Sequence, residues 1–442
     1  MRVNWPFNRA GTPTIVRAEG AELVTAEGRR LLDAAGGAIV ANIGHGRRRV
    51  AERVAEVTAE CTYVVPPWVT PSRRALVETL ARGWLPERLG RIHVTSGGSE
   101  AVEAAVKIAL QYQAALGRPQ RHKIVARSVS YHGTTVTTTA LSGHAARKRG
   151  LEHTLVTYPR APTPYPLRCP LGAHHPDAGR HYVEALRATI EAEGPEQVAA
   201  VIAEPIVGSS GGALIPPDDY WPAVRRLCDN HGIVLIFDEV MTGFGRTGTP
   251  FAFQHWNVEP DVLVAGKGLA GGYAPIGGVY ASEAVGAALE QAGMNVMFHT
   301  FGAHPAACAA AVEVLRILEE EDLVARAARQ GAAAAAALRD AFAGHPHVAE
   351  VRGRGLLLAI EVVRDRETLA PYPETDNVTG RIVGRALEDG VFFYGGGTGA
   401  VRDIVCMGPP FIIDDAQIER MVGVLRAAVD HVTAGPRRSQ SK

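Results

Sequence analysis

Residues 232–248 read GIVLIFDEVMTGFGRTG, and residues 251–278 read FAFQHWNVEPDVLVAGKGLAGGYAPIGG. This stretch holds two uninterrupted apolar runs, Ile233–Phe237 and Val262–Ala265. Both are short, rich in branched side chains and bounded by glycine or charge, the pattern of strands buried on both faces of a sheet. The first ends on Asp238-Glu239 and the second on Gly266-Lys267-Gly268. Open α/β sheets bind ligands beyond the carboxyl ends of their strands. An acid and a lysine at two such ends therefore predict that Asp238 and Lys267 hold opposite ends of one ligand.

A chain of 442 residues exceeds the size at which single cores stop growing, so two or more lobes are expected. A hydrophobic content of 46% is enough for a large core. Lys+Arg and Asp+Glu each number 46, so no net field points to nucleic acid or an anionic membrane as partner. Cys61, Cys169, Cys228, Cys308 and Cys406 are widely spaced, odd in number and without a CxxC pair, which fits reduced thiols in the cytoplasm. The start, MRVNWPFNRAGTP, lacks the apolar stretch of a signal peptide, and no apolar run reaches membrane-spanning length. The expectation is a soluble, cytoplasmic protein.

Along the chain, Thr14–Asp33 alternates with turn signals at Gly20 and Gly28, predicting a small antiparallel meander. Helical spacing covers Arg49–Glu60 and Ser72–Trp84. A strand at Arg91–Val94 then leads through Ser96-Gly97-Gly98-Ser99 into a helix with an Ala101, Val102, Ala105, Val106 stripe. Lys123–Ala126 reads as a strand, and the proline-rich run Tyr158–Pro176 as an irregular surface loop. The rhythm resumes with helix Arg180–Ala192, strand Val198–Ala203 and helix Asp219–His231. Strands alternating with helices predict a mostly parallel central sheet covered on both faces. Beyond Ala306 the pattern changes to long helices with strands at Gly355–Ile360 and Val391–Phe393, a smaller α+β lobe. The expected division is an N-terminal segment 1–60 packing with the small lobe, a large domain 61–310, a small domain 311–435 and a disordered tail 436–442.

Lys267, between two glycines after a buried strand, is placed to be partly desolvated, which lowers its pKa and frees the amine for Schiff-base formation. Taken alone, a lysine there would more often be one snorkelling to solvent. Asp238 on the neighbouring strand is suited to pair with a protonated ring nitrogen, as pyridoxal phosphate requires, and could otherwise be a simple turn cap. Ser96–Ser99 opens a helix straight after a strand, where small side chains, free amides and the helix dipole favour a phosphate; an ordinary serine cap is the plain alternative. No GK[ST] follows, so this is not a nucleotide P-loop. Tyr131 ends another strand and could stack on a planar cofactor.

Phe237-Asp-Glu-Val240, Thr242-Gly-Phe-Gly-Arg-Thr-Gly248, Pro260-Asp261 and Gly266-Lys-Gly-Leu269 resemble the signature of the class III aminotransferases. These are pyridoxal-phosphate enzymes of fold type I, related to the ornithine, 4-aminobutyrate and omega-amine transaminases. The resemblance runs from the meander near Thr14 to Pro409-Pro410. It implies that Lys267 forms the Schiff base with pyridoxal 5'-phosphate and then shuttles a proton. It implies that Asp238 pairs with the pyridine nitrogen, that Val240 and Tyr131 take the two ring faces, and that Gly97 and Gly98 bind the phosphate. Thr300, in His299-Thr-Phe-Gly-Ala-His-Pro305, matches a threonine that reaches the phosphate of a neighbouring subunit, so a homodimer with shared sites is expected, with a tetramer as a further option. Glu204 matches a glutamate on the substrate side.

Ornithine- and 4-aminobutyrate-type members carry a carboxylate-binding arginine shortly before the Pro-Pro pair, where this chain has Cys406. A thiol cannot replace a bidentate guanidinium. Arg402, beside the glycine-rich Tyr394–Gly399, could substitute, with a plain surface arginine as the equal alternative. The expected reaction is ping-pong transfer of an amino group from an amine or omega-amino acid to an oxo acid, with pyruvate favoured. Decarboxylation, amino migration and racemisation are the alternatives on this scaffold.

Two further signals are set aside. Gly395–Ala400 fits a relaxed dinucleotide fingerprint, yet no helix pattern follows it. Cys169 with His174, His175 and His181 matches no common zinc-ligand spacing, so no metal is expected.

Overall fold

The computed structural model describes residues 12–294, 298–399 and 401–434, so the tail beyond residue 434 and the first eleven residues lie outside the described residues. The chain opens with an antiparallel meander, β1 (Ile15–Glu19), β2 (Glu22–Thr25) and β3 (Arg30–Asp33). Within β3, Leu31, Leu32 and Asp33 are buried and only Arg30, at its start, is exposed.

The central sheet has seven strands: β4 (Arg91–Thr95), β5 (Lys123–Arg127), β6 (Arg160–Ala161), β7 (Val198–Ala203), β8 (Val234–Glu239), β9 (Val262–Ala265) and β10 (Gly277–Ala281). Their order is β4-β10-β9-β8-β7-β5-β6, with every pair parallel except those made by β10. β7, β8, β9 and β10 are buried at every residue, which is why the first three carry continuous apolar runs. Helix Gly98–Ala115 covers one face with Ala101, Val102, Ala105 and Ala109. Helix Tyr220–His231 covers the other, where Trp221 meets Phe237 edge-on at 4.7 Å. Burying a side chain such as Phe237 stabilises the fold by roughly 1.5–3 kcal/mol.

The second lobe contains β11 (Val348–Arg354), β12 (Leu357–Val362), β13 (Val391–Phe392), β14 (Tyr394–Thr398) and β15 (Val401–Met407). β13 pairs in parallel with β3, so the N-terminal meander extends into this lobe, while β11-β12-β15-β14 form an antiparallel sheet. The glycine-rich stretch Tyr394–Thr398 is one arm of a hairpin with β15. Helix Pro305–Glu320 packs against helices Arg48–Glu60 and Pro71–Thr79, its Glu319 accepting from the Trp84 indole at 2.7 Å. No described helix is long and apolar enough to cross a membrane.

One expectation needs correction. The proline-rich run is not a surface loop throughout. Its Arg160–Ala161 forms the edge strand β6, and Thr163, Tyr165, Leu167 and Cys169 are buried. The cause is a buried ion network. Tyr165 and Arg168 donate to Glu361 of β12, and Arg352 of β11 donates to the same carboxylate at 2.6 Å. Arg352 also donates to the carbonyls of Gly211 and Gly212, at 2.7 and 2.6 Å, which ties the small lobe to the loop after β7. Partnered this way, a buried guanidinium and carboxylate are tolerated. β10, to which sequence analysis assigned no element, is an antiparallel strand hydrogen-bonded between β4 and β9.

Candidate active site

A cavity of about 800 Å³ opens at the carboxyl ends of the parallel strands. It gathers Ser96–Ser99 from the turn after β4, Tyr131 and His132 after β5, Glu204 after β7, Asp238 at the end of β8 and Lys267 after β9. Residues separated by more than 170 positions meet because each terminates a neighbouring strand.

Lys267 adopts φ +38°, the left-handed region, at a cost of order 1–3 kcal/mol for a residue with a side chain. The turn is held by Asn42, whose amide donates to the Gly268 carbonyl at 2.8 Å. Burial is the strongest influence on Lys267 and lowers its pKa; Asp238 and Glu204 act in the opposite direction and only partly offset it. The side chain still faces the cavity, so an amine whose charged form is disfavoured by burial is presented where a ligand can reach it.

Asp238 is buried, and its Oδ2 lies 2.7 Å from Nδ1 of His132, itself fully buried. Oδ1 accepts from the Val240 amide at 3.1 Å. A carboxylate has about four acceptor positions, so capacity remains for one more donor. The neighbouring Glu239 faces the other way, accepting from Thr242 and from the Ala252 and Phe253 amides at 2.7–2.9 Å. One acid of the Asp-Glu pair thus faces the cavity while the other staples the following loop.

The helix Gly98–Ala115 begins at the cavity without a side-chain cap on Gly97, leaving first-turn amides unpaired within the helix. Val240 packs on this turn so closely that a Cβ on Gly98 would meet its Cγ1 at 2.9 Å. From the other side, a Cβ on Gly277 would meet the Gly97 carbonyl at 2.8 Å. Gly277 is thus a site residue that sequence reasoning missed, although its glycine pair was visible.

Tyr131 lines the cavity, with the His144 ring edge-on at 5.7 Å and the Arg147 guanidinium 4.9 Å from its ring centroid. Glu204 also lines it, but both carboxylate oxygens accept backbone amides, from Gly208 at 3.0 Å and Tyr131 at 3.2 Å. Burial raises its pKa, while His132 and Arg127 pull the other way. Glu204 therefore braces two cavity loops.

Thr300 is not brought to this cavity by its own chain. It lies on an exposed segment with Phe298 and Phe301, both more than 60% exposed. Arg402 also lies elsewhere. Its guanidinium donates to the Tyr372 carbonyl at 3.0 and 3.1 Å and does not line the cavity, because β15 directs it toward the Tyr372 loop. Cys406 is buried within β15 opposite Tyr394 and Ala359. His132, Arg147 and Tyr394 are cavity residues to which sequence reasoning assigned no role. His132 could have been suspected from its place beside Tyr131; nothing in the sequence marks the other two.

The sequence profile of the class III aminotransferases matches residues 7–429. The chain is 33% identical over 421 residues to the uncharacterized aminotransferase YodT of Bacillus subtilis, covering 94% of this chain and 95% of that protein. It is 32% identical over 435 residues to the putrescine–pyruvate aminotransferase of Pseudomonas aeruginosa, covering 97% and 92%. A thermostable (S)-enantioselective omega-transaminase from Thermomicrobium roseum superposes with a TM-score of 0.92 at 35% identity, over 98% of this chain and 96% of that one. The chain belongs to the class III aminotransferases, a pyridoxal-phosphate-dependent family, and its architecture is that of fold type I.

Proposed function

We propose that this aminotransferase binds pyridoxal 5'-phosphate and moves an amino group from an amine or omega-amino acid to pyruvate by a ping-pong mechanism. The carrying observation is that Lys267 and Asp238 end adjacent strands and open onto one cavity with the uncapped Gly97–Gly98 helix start. The residues present fit the cofactor. The phosphate turn has no side chain where Gly97 and Gly98 sit, Asp238 keeps an acceptor position, and Tyr131 and Val240 supply flat and apolar walls.

When bound, the cofactor supplies an electron sink for charge developing on the substrate carbon. The amides of Gly97 and Gly98 hold its phosphate, helped by the positive end of the helix dipole. Asp238, oriented by His132, would accept a hydrogen bond from the protonated ring nitrogen and so keep that nitrogen charged. Lys267 Nζ is the amine that tethers the cofactor and, once released, carries a proton at Nζ between two carbons. Its burial, which disfavours the ammonium form and lowers its pKa, supports this role. Thr300, on its exposed segment, is proposed to reach the phosphate of a second copy, making a homodimer the working unit. The pyruvate-using relative supports that acceptor, and free cysteines among the described residues favour the cytoplasm.

The test is a screen of amines and omega-amino acids against pyruvate and other oxo acids with cofactor-loaded enzyme. Stoichiometric ketone or aldehyde and new amino acid are expected. Carbon dioxide release, or an isomer formed without any oxo acid, would replace transamination with decarboxylation, amino migration or racemisation.

A further inference from the structure

We propose that Arg147 is the carboxylate anchor of the active-site cavity, so that this chain selects its oxo-acid substrate through the loop after β5 and not through β15. The inference rests on the transaminase reading for the identity of the carboxylate, and on geometry for the site.

Arg147 lines the same cavity as Lys267 and Tyr131. Its guanidinium lies 4.9 Å from the Tyr131 ring centroid, which holds an otherwise exposed side chain at the cavity mouth through a cation–π contact. Among the described residues no carboxylate lies within salt-bridge distance of Arg147, and it makes no hydrogen bond to them. Its planar fork of N–H donors is thus available for a carboxylate, which it can grip bidentately.

The other cations near the site are committed. Lys267 is the reactive amine. Arg127 is buried, with its Nη2 donating to the Glu204 carbonyl and its guanidinium over Trp221. Arg402 is held by the Tyr372 carbonyl. Cys406, at the arginine position of ornithine-type relatives, is a buried thiol whose pKa is pushed up to about 12, so it offers neither charge nor fork. Asp238 and Glu204 also line the cavity, so an arriving carboxylate meets repulsion unless a cation receives it.

Arg147 could instead serve only to prop Tyr131. The two roles separate by ligand. Cofactor-loaded wild type, Arg147→Met and Arg147→Lys are titrated with propanoate and with propanamide, following the absorbance of the bound cofactor, with thermal shift as a second readout. Methionine keeps an apolar stem against Tyr131 but has no charge. The ratio of the two dissociation constants is expected to fall about tenfold or more in Arg147→Met, with Arg147→Lys intermediate. An unchanged ratio, both ligands weakened alike, or a wild type that does not prefer propanoate would overturn the assignment. If Arg147→Met loses the propanoate preference while the wild-type holoenzyme yields no amino acid from any donor and pyruvate, the carboxylate site stands and the transaminase reading falls.

Discussion

His132 Nδ1 and Asp238 Oδ2 are 2.7 Å apart, and both side chains are buried beneath the cavity floor. The contact joins the loop after β5 to the end of β8 and orients the acid whose free acceptor position faces the cavity. His132→Leu removes a donor to a buried carboxylate, an interaction of about 1.5–3 kcal/mol. Cofactor affinity should fall roughly 10–100-fold, with partial recovery in His132→Asn, which keeps a donor. Pyridoxal-phosphate titration of the cofactor-free variants measures this, and wild-type affinity in His132→Leu would reduce the contact to packing.

Lys267→Ala should lower turnover by at least roughly 10²–10⁴-fold, the contribution expected of a positioned proton-transfer group. It should also remove the absorbance of lysine-linked cofactor while leaving cofactor noncovalently bound. Turnover near wild type would end the assignment of Nζ.

The burial of Lys267 has a stability signature. Its folded pKa lies below the unfolded value, so between the two the unfolded chain binds more protons. Stability from this group therefore rises with pH across that window. Melting of cofactor-free wild type and Lys267→Met from pH 7 to 10 should show the wild type gaining on the variant as pH increases. A difference that stays flat with pH would contradict a depressed pKa.

At Gly277 an added Cβ meets backbone atoms of Gly97 at 2.8 Å, and neither strand can swing aside within the sheet. Gly277→Ala should cost about 1–3 kcal/mol by overpacking and should weaken phosphate binding by displacing the turn. Chemical denaturation and inorganic-phosphate competition against cofactor binding test the two effects. A variant with wild-type stability and affinity would show that the turn is soft.

For Arg402 the expectation is the opposite of a substrate contact. Arg402→Ala should leave the KM for the oxo acid within about twofold and cost about 1 kcal/mol of stability through loss of the Tyr372 carbonyl contact. A large rise in KM would show that the guanidinium leaves Tyr372 during turnover.

Much of the fold was legible because local pattern and tertiary role coincide. Val262–Ala265 is apolar at every residue since it is covered on both faces, and the strand end it predicted is where Lys267 sits. The legible features failed where composition conflicted with context. Six prolines from Pro159 to Pro176 signalled a surface loop, yet the Arg352–Glu361 pair recruits Tyr165 and Arg168 into the interior. β10 escaped notice because glycine has low strand propensity; its Gly277 is required by the approach of Gly97 from β4, a neighbour about 180 residues away.

The amino-acid order alone placed the candidate residues at strand ends: an acid at 238, a lysine at 267 and a glycine pair at 97–98. Such features are local, set by side-chain type and by the two- and 3.6-residue periods. Only the tertiary structure decided which charged groups remain free. Glu204 is committed to two backbone amides and Arg402 to a carbonyl, whereas Arg147 rests on Tyr131 with its donors open to the cavity. The availability of a charge depends on what lies within a few ångströms of it, and packing of distant segments sets those neighbours.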